Sequence, residues 1–121
     1  METLTTETLT PARLMAAADN GEKALTMILR GQNPGVDGWA AIRQVIEIFE
    51  LGLKIEASIT ETFRYEDVLD GDLELFYGLL STAVTRSFKW IVEGLRTIDS
   101  TRLYKIRDAL HTLSDHCASL A

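Results

Sequence analysis

The stretch Gly38–Ile59, GWAAIRQVIEIFELGLKIEASI, decides the fold. Its charges at Arg43, Glu47, Glu50 and Lys54 are spaced four, three and four apart. On a helix advancing about 100° per residue they share a stripe only about 60° wide. Trp39, Ile42, Val45, Ile46, Ile48, Phe49, Leu51, Leu53, Ile55 and Ile59 fill nearly all the rest, with Glu56 the exception. A helix apolar over so much of its circumference must touch neighbours on several sides. It reads as the central helix of a bundle. Arg43/Glu47 and Glu50/Lys54 stand at pairing distance along it, each pair worth roughly 0.2–0.5 kcal/mol.

Working outward, the connection before this helix contains Asn33-Pro34-Gly35, a turn with proline pre-set and a glycine able to take positive φ. Asp37 is placed to cap the central helix, expected over 38–62. Upstream, Thr10-Pro11 is a helix start: a hydroxyl cap, then proline where its missing N–H costs nothing. The first helix, 11–30, turns Leu14, Ala17, Ala18, Gly21, Leu25, Ile28 and Leu29 inward, and Gly31 is its left-handed terminal residue. Residues 1–9 are threonine-rich without helical period and read as a mobile tail.

Downstream, the stripe Leu73, Phe76, Tyr77, Leu80, Val84, Phe88, Ile91, Leu95 and Ile98 predicts one long helix over 72–98, with Leu79, Ala83 and Trp90 as a second apolar strip beside it. Asp99-Ser100-Thr101 caps a last helix, 101–119. There Leu103, Ile106, Leu110, Leu113, Cys117 and Leu120 form a coiled-coil-like seam opposite a polar face. Trp39 and Trp90 read as core residues at helix ends. The fold class is therefore all-α, an antiparallel four-helix bundle forming one domain over 10–121.

Composition narrows the function. The chain has 121 residues, 25% charged and 46% apolar, with net charge −6. That balance repels nucleic-acid phosphates and anionic membranes unless a basic face is segregated, and the twelve Lys and Arg residues are scattered among acids. The lone Cys117 excludes an internal disulfide and a thiolate-rich zinc site. Neither a secretory signal nor a spanning apolar run is present, so the expected setting is the cytoplasm.

Polar chemistry concentrates on the last helix. Tyr104, Asp108, His111 and Asp115, spaced four, three and four, line one stripe with His111 between two carboxylates. Asp108, His111 and Ser114 imitate a hydrolase triad by spacing, yet an exposed helix face supplies no nucleophile turn and no oxyanion hole. Asp108, His111, Asp115 and His116 offer partial metal-ligand spacing, short of the two Glu-x-x-His elements of a di-iron bundle. The run His111-Thr112-Leu113 with Ala118-Ser119-Leu120 is similar to the helix carrying the phospho-accepting histidine of histidine phosphotransfer domains, which are four-helix bundles of about this size. That resemblance implies a phosphoryl-accepting role for His111. The family has lysine and glycine where this chain has Ser114 and Asp115, and an aspartate there repels phosphate.

The connector holds Glu61, Glu66, Asp67, Asp70, Asp72 and Glu74 against one Arg64. Asp70-Gly71 fits the centre of a calcium loop, but the register leaves Val68 and Tyr77 at ligand positions. Phe63, Tyr65, Glu66, Asp67 and Asp70 instead suit a partner with a basic surface. The expectation is a non-enzymatic interaction module, homodimeric, with no cofactor, metal, nucleic acid or membrane. Phosphotransfer-like or metal-dependent chemistry at His111 is the alternative.

Overall fold

The computed structural model describes residues 10–62 and 71–120, the side chains of 58–62 and 71–73 excepted. Over these residues the chain is all-helical: α1 (Pro11–Leu29), α2 (Gly35–Thr62), α3 (Gly71–Ala83), α4 (Phe88–Thr97) and α5 (Ser100–Ala118). The expected tail, 1–9, lies outside the described residues.

Both ends of α1 follow from local chemistry. The Thr10 hydroxyl accepts from the Arg13 N–H at 3.3 Å, with Pro11 at the first helical position. At the other end Gly31 takes φ +75°, the Gly31 N–H donates to the Ile28 carbonyl and the Gln32 N–H to the Met27 carbonyl, closing the carbonyl end. The central helix starts three residues earlier than expected. The Asn33 side-chain oxygen accepts from the Gly35 N–H at 2.9 Å, which lets α2 begin at Gly35. Asp37 consequently stands inside the first turn, favoured there by the exposed amides rather than serving as the cap.

The long helix expected over 72–98 is two helices. α3 ends at Ala83, residues 84–87 are non-helical, and α4 starts at Phe88 under a Ser87 cap whose hydroxyl accepts from the Trp90 N–H at 3.1 Å. Near the end of α3, Ser81 and Thr82 turn their hydroxyls back onto the Tyr77 and Gly78 carbonyls. Such back-bonding competes with helix continuation. The break lies at neither Gly78 nor Gly94. It delivers Phe88 into an aromatic cluster, with its ring centroid 5.5 Å from Phe49 and 6.0 Å from Tyr77. Ile98, left-handed at φ 51°, then turns the chain from α4 into α5, where the Asp99 carboxylate accepts from the Thr101 N–H.

α1 packs on α5 and α2, α2 on α4, α4 on α5, and α3 on α5 with a lesser contact to α2. These contacts are consistent with a helical bundle. α1 and α5 run antiparallel, since Asp19 meets Ser114 and Glu22 meets His111. Gly21 sits where three helices converge. A Cβ there would stand 2.6 Å from Val45 and 3.1 Å from Leu110, so only glycine admits this approach. Leu14, Leu25, Val45, Phe49, Phe76, Leu80, Ile91 and Leu95 complete the core with the α5 seam Leu103, Ile106, Leu110, Leu113 and Cys117. The seam stops there, and Leu120 is exposed.

The second apolar strip goes into packing, with Leu79 and Ala83 facing inward onto the core. Trp39 is not a core residue. It is 44% exposed, while Val36 one turn earlier is 87% exposed.

Candidate functional site

Three surfaces carry chemistry beyond core packing. The first is the α1–α5 seam. α5 presents His111, Ser114 and Asp115, and α1 presents Asp19 and Glu22 one turn apart. Ser114 is nearly buried, and its hydroxyl donates to Asp19 Oδ1 at 2.6 Å. His111 Nδ1 lies 3.3 Å from Glu22 Oε1, and Nε2 lies 3.6 Å from Asp115 Oδ2. The expected neighbour Asp108 is therefore replaced by Glu22 from another helix. Asp108 remains exposed, with its backbone carbonyl accepting from Thr112. Tyr104 is half exposed and carries the Arg107 guanidinium over its ring at 5.4 Å.

This geometry limits what the seam can catalyse. Ser114 gives its proton to Asp19, not to His111, and its burial leaves an acyl substrate no approach. A nucleophile needs the base within hydrogen-bond reach, so the triad spacing does not become a triad. The two carboxylates at His111 flank opposite ring nitrogens and cannot converge with it on one ion. Among the described residues no group of three or more His, Cys, Asp or Glu side chains could hold a metal. His116 points to α3, with Nδ1 3.4 Å from the Thr82 hydroxyl oxygen. Cys117 is fully buried beside this seam, and burial, then the Asp19 charge, pushes its thiol up from the ordinary value of 9.0.

The second surface lies on the α4–α5 hairpin. Two guanidiniums lie over the Trp90 ring, Arg86 at 5.1 Å and Arg102 at 5.2 Å from its centroid. Arg102 also donates to the Trp90 carbonyl oxygen and approaches Glu93 and Asp99. Arginine thus already engages the indole's π-surface through cation–π contacts.

The third surface is the outer stripe of α2. Val36, Trp39, Ala40 and Arg43 recur at helical spacing and are all exposed. Further along, Glu50 pairs with Arg96 of α4 rather than with Lys54. Arg43, Glu47 and Lys54 form no ion pair among the described residues, so the two pairs expected along this helix do not form. A shallow groove on α3 is lined by Glu74, Leu75, Gly78, Leu79 and Thr82. The proposed partner-binding residues Phe63, Tyr65, Glu66, Asp67 and Asp70 lie outside the described residues.

Sequence reasoning missed Glu22 and Asp19 as seam partners, and it missed Val36 and Trp39 as surface. The alternation of Val36, Trp39, Ala40 and Arg43 was the available signal for the latter. Among the described residues no helix is long and apolar enough to cross a membrane. No family model, curated protein or solved structure matches this chain.

Proposed function

We propose that this protein is a non-enzymatic interaction module, a small acidic helical adaptor or regulator of the cytoplasm, that works as a homodimer. The observation that carries the reading is the exposed apolar pair Val36 and Trp39 on the solvent side of α2. Tryptophan is enriched at interface anchors because it buries a large area with few rotors to order. The polar groups, by contrast, are spent internally: the serine nearest His111 is bonded to Asp19, and both ring nitrogens of His111 face carboxylates. An incoming phosphoryl group would meet negative charge from either side, which weighs against the phosphotransfer alternative.

The architecture we propose is an antiparallel four-helix bundle of α1, α2, α4 and α5. Its support is that α1 and α4 each pack on both α2 and α5. α3 then buttresses α5 from outside. The acidic connector residues Phe63, Tyr65, Glu66, Asp67 and Asp70 are the proposed contact for a protein partner with a basic surface.

Light scattering on a sizing column, with reductant present, tests the reading. A mass near 27 kDa, twice the 13.5 kDa chain, is expected across a hundredfold range of concentration. A mass of 13.5 kDa at every concentration would overturn the homodimer.

A further inference from the structure

We propose that the outer stripe of α2 is the seam of the homodimer, two copies lying antiparallel with Arg43 of each opposite Glu47 of the other. This rests on the self-association proposed above and adds the face and the register. Val36, Ala40, Arg43, Glu47, Glu50 and Lys54 fall within about 80° of the helix circumference, so one neighbouring helix can meet them all. The apolar anchors stand at one end of that stripe, and exposed Lys54 stands at the other.

The charge pattern favours a second copy and narrows the register. A two-fold interface brings the same patch of both copies together, so the patch must complement itself. Packing two α2 stripes in parallel sets Arg43 on Arg43 and Glu47 on Glu47, which repel. An antiparallel register with Arg43 opposite Lys54 repels as well, and it also sets Glu47 opposite Glu50. Shifting the two-fold to lie between Arg43 and Glu47 gives two reciprocal opposite-charge pairs.

The same shift places Val36 opposite Lys54, whose methylene stem covers apolar surface while its ammonium stays in water. Ala40 falls opposite Glu50, and the small alanine leaves room for the two backbones to approach. Trp39 flanks the seam at each end. The overlap from Val36 to Lys54 is about 27 Å long, as eighteen steps of 1.5 Å require. Arg43, Glu47 and Lys54 are available for this role, since none forms an ion pair within the described residues, whereas Glu50 is already held by Arg96.

Charge reversal reads the register directly. Light scattering on wild type, Arg43→Glu, Glu47→Arg, their equimolar mixture and the double variant decides it, with far-UV circular dichroism verifying that each is helical. Either single reversal puts two like-charge pairs in the seam and is expected to weaken the dimer by roughly tenfold or more. The mixture restores the mass as a heterodimer, because one chain then carries two acids and the other two arginines. The double variant restores it as a homodimer. Single variants that keep the wild-type mass overturn this seam while leaving self-association standing. Single variants that dissociate without rescue in either combination overturn the register. A wild type that is monomeric throughout overturns the seam together with the homodimer.

Discussion

The α1–α5 seam and the outer stripe of α2 are built from similar residues and finished differently. At the seam, carboxylates from α1 find partners on α5: Asp19 takes the Ser114 hydroxyl and Glu22 takes His111. Beneath them Leu110 and Leu113 are fully buried, and Gly21 lets the helices close. On the α2 stripe, Val36 and Trp39 stand in solvent, and Arg43 and Glu47 make no ion pair among the described residues. An exposed Lys or Glu is ordinary, but an exposed valine and tryptophan next to self-complementary charge are the features on which the proposed dimer seam rests. The comparison separates residues that hold the chain together from residues available to hold something else.

Truncating the seam should produce the largest effect. Leu110 is 1% exposed and lies against Gly21, in a region already at close contact. Leu110→Ala removes its contacts and leaves a cavity that rigid neighbours fill poorly, an expected loss of about 2–5 kcal/mol in urea unfolding. An unfolding free energy within error of wild type would mean the seam is not the structural half of the comparison.

The next effect is a pH dependence that only the buried side should show. Burial raises the Cys117 thiol in the folded chain, and the Asp19 charge adds to it, whereas the unfolded thiol titrates near 9.0. A raised folded pKa contributes stability that is fully present below the unfolded value. That stability is lost as pH climbs from about 9.0 toward the folded pKa. Stability should therefore fall above pH 9.0 in the native chain and stay flatter in Cys117→Ala. Equal slopes in the two proteins would show that the thiol is not sealed by the seam.

The sequence exposes the two regions to different degrees, for physical reasons. Helix ends governed by neighbouring residues were legible: Thr10-Pro11 starts α1, and the left-handed Gly31 ends it. So was the α5 seam from Leu103 to Cys117, because its three-and-four spacing is set by the helix itself. The break at 84–87 was not, since Leu80, Val84, Phe88 and Ile91 keep helical spacing straight through it. Periodicity reports which face is apolar, and it persisted although the Ser87 cap restarted the helix. Of the two carboxylates expected beside His111, Asp115 lies there and Asp108 does not, because the α1 partner Glu22 comes from a distant part of the chain that helical spacing on α5 cannot reach. Trp39 looked like core because a helical wheel shows direction but not whether a neighbour extends far enough to cover that end.

Trp39 is also where the smallest stability effect should be found. The residue is 44% exposed, and Val36 beside it is 87% exposed. Trp39→Gln, similar in helix propensity, should change the stability of the dilute chain by no more than about 0.5 kcal/mol, as surface substitutions do. If the stripe is an interface, the two proteins diverge as concentration rises, because association stabilises the folded state by mass action. The wild-type melting temperature should climb with concentration, and that of Trp39→Gln should stay flat. A variant that melts far below wild type at every concentration would instead assign the indole to the core. The stripe would then lose its anchor, and only the self-complementary charges would be left to argue for a second copy.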